Sequence, residues 1–423
     1  MASGIAPNLN DGKGARGAGR TGNATPWRQA PHGANIVDMT TIYDAIIIGA
    51  GQAGLAAAHE LARRGLTPGQ DFLILDSNDG PGGAWRHRWD SLTLGKAHGI
   101  ADLPGLPMTR PDPKVPASTL VTDYYGDYET TFGFEVVRPV KVASVMPVGG
   151  AESTPESPLL VRAEDDRSWQ ARYVLNATGT WTNPYVPYIP GIDKFQGRQL
   201  HTVGYTKASD FEDQRVLVVG GGLSAVQFLL EMEGIADLTW ATRRPPNFTE
   251  KEFDDGWGIA VERAVRERTH SGKTPASVVR TTGIPQWPDY MRGVERGLIV
   301  SRGMFEEITP TGVIFGEPRT SLAHGLGPSS NNRLAVPDSW ASYPAGTALD
   351  VDVIFWNTGF RAALRHLAPM KLRSGHGILM NDEVSPAADD RILLVGYGST
   401  ASTVGATRAG RIAGRVTAKR LGL

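Results

Sequence analysis

"DAIIIGAGQAGLAAAHELARRG", residues 44–65, is the stretch that decides the fold. Ala45–Ile48 is a short, wholly apolar run of the kind that a parallel strand buried on both faces requires. Gly49, Gly51 and Gly54 follow as G-x-G-x-x-G, with Gln52 and Ala53 between the second and third glycines. The first glycine permits a tight turn, the second lets backbone approach a pyrophosphate, and the third lets the helix pack close to the strand. Beyond the loop, Leu55, Ala58, Leu61 and Ala62 share one helical face, and Gly65 suits the position just past a helix C-terminus. "DFLILD", residues 71–76, is a second buried strand that ends on Asp76, where a carboxylate can hydrogen-bond a ribose diol. Strand, loop, helix and acid in register predict a βαβ unit that holds a dinucleotide pyrophosphate at the helix N-terminus.

The unit occurs twice. "QRVLVVGGGLSAVQFLLEMEGIADLTWATRR", residues 214–244, repeats the apolar strand, the glycine loop, an amphipathic helix with Val226, Leu229 and Leu230, and a second strand. Gly220 and Gly222 take the first two glycine places, Ser224 lies inside the loop, and Ala225 takes the third place, which the fingerprint tolerates. This second strand ends in Thr242, Arg243 and Arg244 instead of an acid. Guanidinium groups fork onto a 2′-phosphate that a carboxylate would repel, so NADPH is expected over NADH; the bland alternative is a solvated turn. Opposite ribose chemistry implies two different dinucleotides, FAD at the acid-terminated loop and NADPH at the arginine-terminated one.

Composition excludes other classes. A chain of 423 residues has room for two or three cores, since domains run to about 100–200 residues. Its 43 basic and 44 acidic residues are mixed along most of the chain, which argues against nucleic acid as a partner and against an anionic membrane surface. There is no cysteine, so disulfides, thiolate ligands and a redox-active cysteine pair are excluded. The apolar stretch at 45–58 is broken by glycines and followed by His59, Glu60, Arg63 and Arg64, too short to span a bilayer, and no secretory segment precedes it. A cytoplasmic protein is expected. Residues 1–41, rich in Gly, Ala, Asn and Arg without apolar period, read as a flexible arm. "EVVRPVKVASV" (135–145) and "PLLVRAE" (158–164) read as hairpin material, and "ARYVLNATG" (171–179) as a buried strand. Near the C-terminus, "DVDVIFWNTGF" (350–360) and "DRILLVGYGSTASTVGATRAGRIAG" (390–414) each run a strand into a glycine turn, the latter followed by a helix. Trp257, Trp287, Tyr290 and Trp340 in the irregular region either line a pocket or pack as core.

Taken together, "GAGQAG" (49–54), "GPGGAWRHRWDSLTL" (80–94), "NATG" (176–179), the spacing of Phe195, Gly197, His201 and Tyr205, "GGGLSA" (220–225) and "WNTGF" (356–360) resemble the class B flavin-dependent monooxygenases of the flavin-containing type. The resemblance runs from about residue 43 to the C-terminus and is weakest over 247–345. It implies an α/β fold of two Rossmann-like dinucleotide-binding domains, with an NADPH domain (205–345) inserted into a discontinuous FAD domain (42–204 and 346–423). It further implies that His201 holds the nicotinamide dinucleotide in register with the flavin, unless it is merely satisfied at a domain joint. Gly83, Trp85 and Arg86 would lie along the FAD, with core packing the alternative for Trp85. "LTLGKAH" (92–98) would face the flavin ring; many members place an asparagine there, and here Lys96 or His98 is the candidate donor. Thr178, Gly179, Thr358 and Gly359 would form turns where the chain passes between domains. Backbone N–H groups of Tyr397, Gly398 and Ser399 at a helix N-terminus would face the flavin or its phosphates. The implied reaction uses NADPH and O2 to form a C4a-hydroperoxyflavin that passes one oxygen atom to a small organic substrate. Tyr205 follows the N- and S-oxygenating branch. A Baeyer–Villiger oxygenase, an NADPH oxidase and a flavoprotein redox sensor without turnover remain alternatives, and a homodimer is allowed for.

Overall fold

Ala45, Ile46 and Ile47 are wholly buried and Ile48 nearly so, as the apolar run predicts for a strand covered on both faces. The computed structural model describes residues 41–97, 100–249, 263, 265–275, 283–318 and 334–423. Except for Thr41, the expected N-terminal arm lies outside the described residues, as do His98 and Trp257.

The first sheet is built from β1 (Ile42–Ile48), β2 (Phe72–Leu75), β3 (Val136–Val137), β4 (Val142–Pro147), β5 (Leu159–Ala163), β6 (Ser168–Asn176) and the last strand, β18 (Ile392–Leu394). Its order is β3-β2-β1-β6-β5-β4, with β18 also paired to β6. β3, β2, β1, β6 and β18 run parallel, whereas β4 and β5 form an antiparallel hairpin against the first half of β6. The expected hairpin segment therefore splits. Val136–Val137 joins the parallel sheet and only Val142–Pro147 enters the hairpin, because Pro139 offers no N–H to continue a ladder.

The second sheet is parallel throughout, in the order β7 (Arg198–His201), β15 (Val353–Trp356), β8 (Arg215–Val219), β9 (Asp237–Ala241). Strands β12 (Phe305–Ile308), β13 (Gly312–Phe315) and β14 (Ala348–Asp350) make a small antiparallel sheet. Two short pairs complete the described strands: β10 (Phe248–Thr249) with β11 (Ile284–Pro285), and β16 (Arg373–Ser374) with β17 (Gly377–Ile378). The expected boundaries at 204/205 and 345/346 do not follow this pairing. β7 precedes the first and β15 follows the second, yet β15 lies between β7 and β8, because a strand as apolar as Val353–Trp356 is buried only in the middle of a sheet.

Each sheet is apolar on both faces. Ala45, Ile47 and Ile74 face α1 (Gln52–Arg63), α2 (Ala117–Thr131) and α5 (Thr403–Arg420), while Ile46, Ile48 and Leu75 face Val145, Val161 and Leu367. Burying each such aliphatic side chain contributes about 1.5–3 kcal/mol. In the second sheet, α3 (Leu223–Glu231) and α4 (Pro288–Glu295) cover one face and the β12–β14 sheet the other. α1 departs from the single apolar stripe expected of it. Ala53, Ala56, Ala57 and Glu60 are buried as well as Leu55, Ala58 and Leu61, because α5 lies directly on its outer face. That approach needs Gly410 and Gly414, where a Cβ would stand 2.5 Å from the Ala53 carbonyl oxygen and 2.7 Å from Glu60 Cβ.

Candidate active site

The first crevice opens where β1, β2 and β6 end. Gly49 has φ +106°, and a Cβ there would lie 2.5 Å from the Ala177 carbonyl oxygen. At Gly54 it would lie 1.8 Å from the Gly49 carbonyl oxygen, so helix and strand can meet only without a side chain. Gly83 brings its own segment against the loop, 2.8 Å from Gly51 Cα for the same imaginary atom. α1 begins at Gly51 without a side-chain cap, whereas α5 is capped by Ser402, whose Oγ accepts from Gly405 N at 3.0 Å. Uncapped first-turn N–H groups at the positive end of the helix dipole form an anion seat. Asp76 is buried and accepts from Ala50 N at 2.6 Å and Asn78 N at 2.7 Å. It shapes the loop through one lone pair on each oxygen and keeps the others for a diol. A flavin dinucleotide fits this arrangement: a glycine cradle for the pyrophosphate, free amides, and an acid at the ribose end.

Several residues expected along the cofactor are committed to the protein. Gln52 donates to Ala101 O and Thr407 Oγ1 and accepts from the Tyr125 hydroxyl. Arg86 braces the loop before Gly83, bonding Pro81 O at 2.8 Å and Asp79 Oδ1 at 2.5 Å. Trp85 packs on the first core. Ala53 is buried against the face that α5 covers. Tyr397, Gly398 and Ser399 are corrected more sharply: α5 begins only at Thr403, and Gly398 and Ser399 belong to a separate 3-10 turn ahead of it, with Gly398 close to Thr269. At the start of α5 itself the Ser402 hydroxyl takes the Gly405 amide. Lys96 is exposed, and its carbonyl accepts from Gln227 of α3 at 3.4 Å. The turn expected beside the flavin thus touches the second glycine helix.

The second crevice repeats the first. Gly220 has φ +142°, with an imaginary Cβ 2.2 Å from the Asn357 carbonyl oxygen, and α3 again starts without a side-chain cap at Gly222. Ser224 is exposed in its first turn and Ala225 is buried. Thr242 is buried, hydrogen-bonded to Ser301 Oγ at 2.6 Å and to Arg244 O. Arg243 is exposed beside it and makes no ion pair among the described residues. Glycine turn, uncapped amides and a projecting guanidinium fit a nicotinamide dinucleotide.

Two linkers join the crevices. Thr178 Oγ1 bonds Ala363 O at 2.7 Å, Thr358 Oγ1 bonds Tyr185 O, and Tyr185 N bonds Gly359 O at 2.9 Å. Ala363 N reaches Gly179 O at 3.0 Å, and Pro184 bridges Phe360 antiparallel. Each Thr-Gly turn therefore clasps the other linker. The spacing of Phe195, Gly197 and His201 is a strand laid beside β15: a Cβ on Gly197 would stand 2.5 Å from both the Asp352 carbonyl oxygen and the Phe195 ring. His201 ends that strand, with Nε2 3.0 Å from Gly359 O and Nδ1 buried without a partner. Burial lowers its pKa, so the ring is neutral, donates from Nε2 and leaves Nδ1 as an acceptor. His201, Phe360, Trp181 and Arg88 then form one chain of contacts, at 4.9 Å, 5.2 Å and 3.9 Å in turn. An open groove of about 400 Å³ beside His201 is walled by Phe195, Leu200 and Trp356 and by none of the glycine-loop residues, so it is an edge feature of the second sheet.

Sequence reasoning passed over Asn176 and Asn357. Asn176 Oδ1 meets His366 Nε2 at 2.6 Å, and Asn357 Oδ1 accepts from Thr202 at 2.9 Å. Asn176 is the last residue of β6 and Asn357 follows the last residue of β15, each opposite a glycine loop, and an Asn shortly before Thr-Gly in both segments was the available signal. Tyr205 lies in the core against Phe228 and Phe355, its hydroxyl 2.6 Å from Glu231 Oε1. Trp287 and Tyr290 likewise pack in the second core, and Trp340 bridges Ser301.

Two glycine-loop crevices in one chain, one followed by a strand that ends on an acid and one by a strand that ends beside an arginine, define the class of two-domain pyridine-nucleotide flavoproteins. The family model described as pyridine nucleotide-disulphide oxidoreductase matches residues 46–270, more than half of the chain, and the chain belongs to that family. Membership implies FAD and NADPH as cofactors. A flavin-containing monooxygenase from Stenotrophomonas maltophilia is 31% identical, with a TM-score of 0.67 over 89% of this chain and 98% of that one. This bears out the resemblance to flavin-dependent monooxygenases. The indole-3-pyruvate monooxygenase YUCCA1 of Oryza sativa subsp. japonica is 34% identical over 46% of each chain. The uncharacterized oxidoreductase CzcO of Bacillus subtilis is 29% identical over 45% of this chain and 52% of that one. The match spans about half the length of these curated relatives. A bacillithiol disulfide reductase from Bacillus cereus shares the fold at 18% identity and a TM-score of 0.59. Without cysteine, this chain has no dithiol for that chemistry. No helix among the described residues is long and apolar enough to cross a membrane.

Proposed function

We propose that the chain is an FAD-dependent, NADPH-consuming monooxygenase that inserts one oxygen atom of O2 into a small organic substrate, with nitrogen or sulfur as the favoured acceptor. The observation that carries this reading is the seam: the Thr-Gly turns that follow the two central strands clasp each other's linkers, and His201, Phe360, Trp181 and Arg88 form one chain of contacts across them. When bound, a flavin supplies hydride acceptance and oxygen activation, chemistry that no side chain provides. The chain supplies position and dryness. The uncapped N-termini of α1 and α3 hold phosphates, Asp76 holds a ribose, and Arg243 selects a 2′-phosphate. His201 offers a neutral acceptor at Nδ1 while its Nε2 fixes the Gly359 turn. The stacked aromatic rings exclude water from the junction. We assign the flavin to 42–197 with 358–423, and the nicotinamide to 198–357, following strand pairing. The similarity to flavin-containing and indole-3-pyruvate monooxygenases supports oxygenation; the preference for nitrogen or sulfur rests on the motif position of Tyr205.

The test is substrate-stimulated NADPH oxidation with amines, thioethers and ketones under isotopically labelled O2. Product carrying one labelled oxygen is expected. Stoichiometric hydrogen peroxide without oxygenated product would reassign the chain as an oxidase, and ester or lactone from the ketones would reassign it as a Baeyer–Villiger enzyme.

A further inference from the structure

We propose that Arg88 is an anion-recognition group that seats the carboxylate of an organic substrate at the seam between the crevices. The proposal leans on the oxygenase reading only in naming the anion as substrate.

Arg88 sits in "WRHRW" (85–89), just past the 3-10 turn Trp85–His87, with its N–H on Trp85 O at 2.9 Å. Its guanidinium carbon stands 3.9 Å from the centre of the Trp181 ring, 5.7 Å from Trp85 and 6.0 Å from Trp89. Nε is buried with no hydrogen-bond partner, and no carboxylate pairs with the group among the described residues. Other enclosed arginines differ. Arg138 is bidentate on Glu129, Arg391 on Asp389, and Arg86, two residues earlier, holds Asp79. Stacking on aromatic faces offsets only part of the cost of desolvating a cation, and a fork of N–H donors still lacks acceptors. Burial lowers the pKa of Arg88 to about 10, so it remains charged at neutral pH. A partly buried cation stacked on an indole face, with a buried N–H that has no acceptor, marks a site awaiting a counter-charge.

Dinucleotide phosphates already have seats at the uncapped starts of α1 and α3. Among the described residues no hydrogen bond or ion pair joins the Arg88 guanidinium to either glycine loop. It stacks on Trp181, beyond Gly179, beside the ring chain that leads to His201. The anion left to seat is the substrate's, and a planar guanidinium matches a carboxylate through two parallel hydrogen bonds. The flanking tryptophans suit a flat apolar body attached to it.

Binding of phenylacetate and of its neutral isostere phenylacetamide to the oxidised FAD-loaded protein, followed by flavin difference spectra, tests this without turnover. The acid is expected to bind about ten- to a hundredfold more tightly than the amide. Arg88→Gln is expected to abolish that preference by weakening the acid alone, with flavin content and the Kd for NADP⁺ unchanged. Equal affinity of the unmodified protein for acid and amide would overturn the proposal, and that comparison needs no variant to fold. So would an Arg88→Gln protein that loses NADP⁺ affinity and leaves acid binding intact, which would hand the guanidinium to a dinucleotide phosphate. Tight acid binding without any oxygenated product would instead strike the oxygenase reading and leave the anion site standing.

Discussion

The two glycine crevices are built to one plan and differ at three places. In both, the amide of the first glycine bonds the end of the neighbouring strand, Gly49 to Leu75 O at 2.7 Å and Gly220 to Ala241 O at 3.0 Å. In both, that glycine lies against the carbonyl just beyond a central strand, and an asparagine stands at the end of that strand. The first difference is the third loop position, Gly54 against Ala225. α1 is squeezed between its sheet and α5, whereas α3 buries the methyl of Ala225 at the same place. The second is the end of the following strand, buried Asp76 against buried Thr242 with exposed Arg243. The third is the asparagine's partner, titratable His366 against the hydroxyl of Thr202. The two crevices share a backbone geometry, and on the proposed reading the few side chains that differ decide which dinucleotide each prefers.

Gly54→Ala breaks the comparison hardest. A methyl 1.8 Å from the Gly49 carbonyl oxygen forces helix and strand apart, at a cost of more than about 3 kcal/mol, and flavin absorbance per polypeptide falls toward zero. Arg243→Ala touches only the second crevice. It should raise the KM for NADPH about ten- to a hundredfold and leave that for NADH within a small factor; equal effects would remove the 2′-phosphate assignment.

Acid sharpens the third difference. Burial pushes His366 down to about 4 from an ordinary 6.5, so as pH falls the unfolded chain takes up the proton first. Stability is full above about 6.5 and is lost toward about 4, by about 1–3 kcal/mol for this group. His59, His87 and His201 are lowered in the same direction by burial, so the share of His366 is read from the reduced slope of His366→Phe in thermal unfolding between these pH values. Ala225→Gly should do least: roughly 1 kcal/mol of helix stability, with NADPH affinity retained, because the second loop already accommodates the larger residue.

Both βαβ units were legible because their signals are local. An apolar run, a glycine triplet and a helical period lie next to one another in the chain, and burial follows directly from them. The pairing of the strand that ends at His201 with the one that ends at Trp356 was not legible, because a parallel pairing across the long separation between β7 and β15 leaves no local trace. Gly197 shows the limit well. Its spacing from Phe195 was visible, but the reason for glycine, the Asp352 carbonyl pressing on it, appears only once β15 is in place. Gln52 and Arg86 were read as cofactor ligands because they sit in the right motifs; their polar groups bond Thr407, Ala101, Tyr125, Asp79 and Pro81 instead. Tyr397–Ser399 were read as the start of the C-terminal helix for a related reason; the helix begins instead after its cap at Ser402, with these residues at a 3-10 turn ahead of it.

What the sequence by itself determined was the pair of nucleotide folds and the sign of charge at each ribose end, because these depend on residues within one turn or one strand of each other. Tertiary structure alone decided that the two Thr-Gly linkers clasp, that Tyr205 is core, and that Arg88 is left without a carboxylate among the described residues. Those facts are set by which distant groups meet in space, and the presence or absence of a partner for a charge is a property of the folded interior.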